Sequence, residues 1–231
     1  MPKVYVDAGH GGRDPGAVAN GLQEKHVALA IARLVEAGLR RHGVSVKMSR
    51  TTDEYKSLDQ RTNEANAWGA NIFVSIHCNA AASASANGFE VWHSILPTSK
   101  GRNLAALILD ELDRATPLAN RGPKSKANAA GRDAFHVIRE TRMPAVIVEC
   151  GFLTNASDAA YLRDPDGQAK IADAITRGVL RFFGISYESQ PKTPPKKYRL
   201  LTGTFNSKEA AEEAAEWLRK ARGWVVYVKE A

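Results

Sequence analysis

Two histidines and two glutamates carry most of the chemistry that this sequence offers, and each stands at a strand end or a helix start. His10 lies in the turn Asp7-Ala8-Gly9-His10-Gly11-Gly12, directly after a β-rich run. His77 follows the run 71–76, inside Ser75-Ile76-His77-Cys78-Asn79. Glu149 closes Ala145-Val146-Ile147-Val148, and Glu24 falls between Gly21 and the first helical period. Open α/β sheets place ligands beyond the carboxyl ends of their strands, so the four are expected on one rim. Two imidazoles and two carboxylates have the composition of a catalytic zinc centre. Such a centre uses three His or Glu ligands, an open position for water and a further carboxylate as base.

Each residue also has a plainer reading. His10 could belong to an anion-binding nest, Glu24 could simply pair with a helix dipole, and His77 could be a satisfied core histidine. Glu149 resists such a reading, because a carboxylate ending an apolar strand is costly to bury unless it is paired or used.

The elements that must position these residues follow from periodicity. Strands are predicted at 3–6, 44–50, 71–77, 88–93, 135–139 and 145–149. Val27, Ala30, Ile31, Leu34, Val35 and Leu39 keep helical spacing up to Gly43. A second helix starts at Ser57, with Gln60 completing a capping box, and ends near Trp68-Gly69. Further helices fit 99–115 and 167–183, and the basic stretch 116–134 reads as a functional loop. The alternation predicts an α/β domain with a mixed, mainly parallel six-stranded sheet flanked by helices, plus a small C-terminal βαβ unit. The expected division is a catalytic domain over 1–185, a Pro/Lys-rich linker over 186–197 and the small unit over 198–231.

Several segments then show a resemblance. Val6-Asp7-Ala8-Gly9-His10-Gly11-Gly12, Gly21-Leu22-Gln23-Glu24-Lys25, Ser49-Arg50-Thr51 and Arg61-Thr62-Asn63 come first. Ser75-Ile76-His77-Cys78-Asn79-Ala80, Asn120-Arg121-Gly122, Phe135-His136-Val137-Ile138-Arg139 and Glu149-Cys150-Gly151-Phe152-Leu153-Thr154-Asn155 follow. In this order, over about residues 3–184, they resemble the zinc-dependent N-acetylmuramoyl-L-alanine amidases of the Amidase_3 type. The resemblance implies one Zn2+ per chain held by His10, Glu24 and His77, with Glu149 catalytic and the amide between N-acetylmuramic acid and L-alanine as substrate. Ala8 stands where the family usually has Pro, a change beside His10 and not at a ligand. The family's autoinhibitory helix has no counterpart between Ala84 and Lys100, which implies an open site. Asp7 is a candidate to orient His10, and His136 and Arg139 are candidate substrate contacts.

Tyr198-Arg199-Leu200-Leu201-Thr202-Gly203-Thr204-Phe205, Ser207-Lys208-Glu209-Ala210-Ala211 and Gly223-Trp224-Val225-Val226-Tyr227-Val228 look like half of a SPOR-type repeat, a fold that binds peptidoglycan glycan strands. One half leaves a sheet edge and a helix face uncovered, so a homodimer through 198–231 is expected. Ser186–Lys197, with Pro191, Pro194 and Pro195, reads as a semi-rigid linker.

The formal net charge of +7 alone does not choose between nucleic acid, an anionic polymer and a membrane surface. The basic stretch from Arg114 to Arg142 lacks the aromatic interleaving of a nucleic-acid groove, so nucleic acid is not an expected partner. No apolar run is long enough to span a bilayer, and no stable membrane association is expected. Met1-Pro2-Lys3 runs straight into a predicted strand, so no signal peptide is expected. That predicts synthesis in the cytoplasm and action on the wall after release, as a phage or prophage endolysin, with an autolysin of mother-cell lysis as the alternative. A cysteine amidase or peptidase using Cys78 or Cys150 is the competing enzyme class. A wall- or nucleic-acid-binding module is the non-enzymatic one. Because strand side chains alternate, both thiols are expected to face away from a site formed by His77 and Glu149.

Overall fold

The computed structural model describes residues 1–96, 100–188 and 206–222. In chain order its strands and helices are β1 (Lys3–Ala8), β2 (Val18–Ala19), β3 (Leu22–Gln23), α1 (Glu24–Arg41), β4 (Ser45–Met48), α2 (Leu58–Trp68), β5 (Ile72–Asn79) and β6 (Phe89–His93). They continue with α3 (Gly101–Ala115), β7 (Asn120–Lys124), α4 (His136–Arg139), β8 (Ala145–Phe152), α5 (Ala156–Arg163), α6 (Pro165–Phe182) and α7 (Lys208–Arg222). The chain separates into two compact units, Met1–Glu188 and Ser189–Ala231.

Six strands form one sheet in the order β4-β1-β5-β8-β6-β7. Four of its pairings are parallel, and β6 against β8 is antiparallel. Strand alternation divides the core between two faces. Val4, Val6, Ile72, Val74, Ile76, Val146 and Val148 pack with α1, α3 and α6 residues such as Ile31, Ile108 and Ile175. Tyr5, Phe73, Ala145 and Ile147 face the other way and pack with Ala65 of α2 and with Val137 and Ile138 of α4. Odd-numbered positions at the ends of β1, β5 and β8 therefore open on the α2/α4 face.

Local chemistry sets the element ends. Ser57 and Gln60 form the reciprocal capping box of α2, which stops at Gly69 in the left-handed conformation. Asp164 caps α6 ahead of Pro165. Asn20 (φ 49) and Gly21 (φ 72) make the two-residue loop between β2 and β3, the turn that Asn-Gly favours. That hairpin delivers Glu24 as the first residue of α1.

Three expectations are corrected. The run 135–139 is not a strand. His136–Arg139 is a helical turn, with Glu140 N–H on His136 O at 2.8 Å and both Val137 and Ile138 buried, a pattern that strand alternation would not give. The sixth strand instead lies within 116–134, expected as loop: β7 runs Asn120–Lys124 parallel to β6. Gly122 and Pro123 hide it from a propensity reading, yet a sheet edge tolerates both. The strand predicted over 44–50 is shorter, Ser45–Met48. The helix of the small unit is Lys208–Arg222. Its expected strands at 198–203 and 224–228, and most of the linker, lie outside the described residues.

Candidate metal centre and catalytic carboxylate

β1 ends at Ala8, and the chain turns sharply through Gly9 and His10. His10 itself adopts φ 57, in the left-handed region that a non-glycine residue enters only at a cost. The turn projects its imidazole toward Glu24, Nε2 to Oε2 at 3.0 Å. His77, near the end of β5, approaches the other oxygen of the same carboxylate, Nδ1 to Oε1 at 2.8 Å. The two rings meet edge-on with centroids 4.9 Å apart. Gly9 makes this packing feasible, since a Cβ there would lie 2.4 Å from His77 Cε1. One ligand atom from each of His10, Glu24 and His77 lies within 4.8 Å of the others.

The electrostatics are those of a site built around positive charge. Burial disfavours the charged form of His10, but hydrogen bonds and charge from Glu24 and Asp14 outweigh it and lift its pKa to about 9. Burial alone would raise Glu24, yet the two histidines hold it well below the usual carboxylate range. The N–H groups facing Glu24 supply charge that a cation could supply instead. Two imidazoles and one carboxylate are a donor set that zinc accepts.

Glu149 stands beside this group. In the parallel pairing of β5 and β8 it is the register partner of His77. Its Oε2 is buried with no hydrogen-bond partner among the described residues. Burial pushes its pKa up to about 7, opposed by His77 and reinforced by Glu24 and Glu90. A buried carboxylate near neutrality, with one oxygen unspent, is suited to taking up and releasing a proton.

All four sequence-predicted residues, His10, Glu24, His77 and Glu149, thus occupy one rim of the sheet. The expected partner of His10 is corrected: Asp7 bonds Arg61 Nη1 at 2.5 Å and Ser75 Oγ at 2.6 Å. His10 Nδ1 instead meets Asp14 Oδ2 at 2.8 Å. His136 and Arg139 lie on α4. Arg139 Nε is committed to Glu140, and its Nη1 to the carbonyls of Asp133 and Ala134.

Two features escaped the sequence reading. Asp14, four residues after His10, is one. The other is Glu90, the β6 register partner of Glu149. It is buried and receives Asn79 Nδ2 at 2.9 Å, Trp92 Nε1 at 3.2 Å and Arg121 Nε at 2.8 Å. The alternation Phe89-Glu90-Val91 signalled a carboxylate opposite the core face, and Asn120-Arg121-Gly122 held its counter-charge.

Cys78 and Cys150 are free and buried in the core on the opposite face. Burial raises both thiols well above their ordinary pKa, so neither is poised as a thiolate nucleophile.

Comparisons with known proteins agree with this geometry. Residues 4–181 match the family Amidase_3, N-acetylmuramoyl-L-alanine amidase. The sporulation-specific N-acetylmuramoyl-L-alanine amidase of Bacillus subtilis (strain 168) is 38% identical over 217 residues, covering 93% of this chain and 80% of that protein. The endolysin of Bacillus phage SPP1 is 32% identical over 206 residues, covering 87% of this chain and 73% of its own. The catalytic domain of CwlV, an N-acetylmuramoyl-L-alanine amidase from Bacillus (Paenibacillus) polymyxa var. colistinus, matches with a TM-score of 0.73 at 37% identity, covering 80% of this chain and 100% of that one. A strand order, a His-Glu-His cluster and a family match that spans the whole catalytic sheet lead to one assignment: the chain belongs to the Amidase_3 family of N-acetylmuramoyl-L-alanine amidases, enzymes that act on peptidoglycan.

Proposed function

We propose that this amidase works with one zinc ion held by His10, Glu24 and His77, and with Glu149 as the proton-carrying base. The amide hydrolysed joins the lactyl group of N-acetylmuramic acid to the L-alanine of the stem peptide. The observation that carries the reading is the clustering of three ligand atoms within 4.8 Å beside a buried, unpartnered carboxylate oxygen. Zinc, when bound, polarises the scissile carbonyl and makes the attacking water more acidic. Glu149 takes the proton of that water as its oxygen adds to the carbonyl carbon. It then hands the proton to the alanine nitrogen as the C–N bond breaks. The burial that disfavours its ionised form suits Glu149 to a task in which it must both take up and release a proton. Asp14 keeps a proton on His10 Nδ1, which leaves Nε2 as the ligand atom.

The test is chelation. EDTA should abolish turbidity loss of purified walls, and added zinc should restore it. The products should carry new N-terminal L-alanine and no new reducing ends. Full activity in a metal-free preparation rejects the zinc reading, and new reducing ends reject the amide as the bond cleaved.

For the cellular role, both alignments run beyond the first unit, and the sporulation-specific relative is 38% identical where the phage endolysin is 32% identical. This supports a role in sporulation over the endolysin role expected above, which the phage relative at 32% identity supports less. Expression confined to sporulating cells would support the first. A gene set between holin and tail genes would reject it in favour of the second.

The second unit serves, in this reading, as a SPOR-like wall-binding tail on a Pro/Lys linker that also pairs two chains. Its helix buries Ala215 and leaves Trp217 63% exposed, where a glycan or a second copy could stack on its ring. Peptidoglycan is the only macromolecular partner assigned besides that second copy. Among the described residues no helix is long and apolar enough to cross a membrane.

A further inference from the structure

Two arginines lie almost wholly buried beneath the loop that carries His10, Arg50 at 2% exposure and Arg61 at 3%. Burying guanidinium groups is expensive unless their donors are all directed at acceptors. Here the acceptors are consecutive backbone carbonyls. Arg61 donates Nη1 to Ala8 O at 2.6 Å and Nη2 to His10 O at 2.7 Å, with Nε on Lys56 O at 3.1 Å. Arg50 donates Nε to Ala8 O at 3.0 Å, Nη1 to Thr52 O at 3.1 Å, and Nη2 to both Gly9 O and Lys25 O at 2.7 Å. The carbonyls of residues 8, 9 and 10 are all taken by these two side chains. Lys25 O ties the same guanidinium to the residue after Glu24. Asp7 anchors Arg61 from β1 and is itself held by Ser75, two residues before His77.

This arrangement coincides with a strained backbone. His10 is a non-glycine residue at φ 57, and Gly11 (φ 127) and Gly12 (φ 57) prolong the left-handed stretch. Such a conformation persists only where its surroundings over-determine it. We propose that Arg61, seconded by Arg50, is a positioning residue for the metal centre: its planar fork fixes the carbonyls of Ala8 and His10, and so holds His10 in the left-handed turn that aims its imidazole at Glu24 and His77. The role depends on fork geometry, which lysine's single ammonium cannot reproduce, so charge alone does not satisfy it. The proposal rests on the zinc reading above and adds to it a cause for the ligand geometry.

The experiment compares the full chain with its Arg61→Lys and Arg50→Lys variants. Zinc affinity is read by competition with a chromophoric chelator, the ligand field by the visible spectrum of the cobalt(II)-loaded protein, and the metal-free fold by circular dichroism. For Arg61→Lys the expected result is zinc binding weakened about 10- to 100-fold, the scale for groups that orient a metal ligand. An altered cobalt spectrum over a native metal-free fold should accompany it. Arg50→Lys should shift both readings in the same direction, and it decides the matter if Arg61→Lys does not fold. Zinc affinity within twofold of the parent and an unchanged cobalt spectrum in a folded variant would overturn the clamp while leaving the metal centre intact. A parent chain that binds no zinc would overturn the reading beneath it.

Discussion

Asp14 accepts a hydrogen bond from His10 Nδ1 at 2.8 Å, and its other oxygen takes Gly16 N–H at 3.0 Å. The carboxylate thus joins the ring of a proposed ligand to the backbone of the loop that leads to Glu24. Gly16 has no room for a side chain, since a Cβ would fall 2.6 Å from Glu24 Oε2.

Asp14→Asn should therefore weaken the centre without dismantling it. The amide keeps one acceptor oxygen but loses the charge and the second acceptor, and disturbing a hydrogen-bond partner of a metal ligand typically costs about 10- to 100-fold in affinity or activity. Zinc affinity of the variant, measured against the parent, checks this, and a change below twofold would mean that Asp14 only shapes the loop.

Glu149→Gln separates proton transfer from metal binding. The change is nearly isosteric, so zinc should remain bound at one ion per chain. The rate should fall by about two to four orders of magnitude, the scale for losing a general base. Metal content and single-turnover rate give the two readings. Loss of zinc in this variant would make Glu149 a ligand and Glu24 the candidate base.

The Asp7–Arg61 pair predicts a pH effect on stability. Burial works against the Asp7 carboxylate, but Arg61 and the hydrogen bond from Ser75 hold its pKa below the ordinary value. A depressed folded pKa contributes stability above the unfolded value, roughly 3.9, and that contribution is lost as pH falls toward the folded one. Asp7→Asn should cost about 3–5 kcal/mol at neutral pH, because it strands a buried guanidinium. It should also flatten the fall in melting temperature below about pH 4. Parallel slopes for parent and variant across that range would show that Asp7 does not carry the linkage.

Removing the tail tests the small unit. A chain ending at Glu188, the end of the first unit, should be monomeric by light scattering and bind walls less tightly, whereas the full chain should be dimeric. A full chain that stays monomeric at high micromolar concentration rejects pairing through 198–231.

Much of the catalytic unit could be read directly because its signals are local. The capping box at Ser57 and Gln60, the apolar period from Val27 to Leu39 and the strand alternation around His77 and Glu149 each depend on residues close in sequence. The same alternation sent Cys78 and Cys150 into the core, as expected. Composition and strand ends alone were enough to bring His10, Glu24, His77 and Glu149 to one rim. What only the tertiary structure decided was how distant groups meet. β7 forms over Gly122 and Pro123 because β6 offers it an edge, and 135–139 curls into a turn because α2 and the sheet bury Val137 and Ile138 together. Asp7 goes to Arg61 across 54 residues, and Asp14 is left to serve His10. Pairings of that kind depend on three-dimensional distance and on the cost of leaving a buried charge unmatched, and neither is encoded in the spacing of residues along the chain.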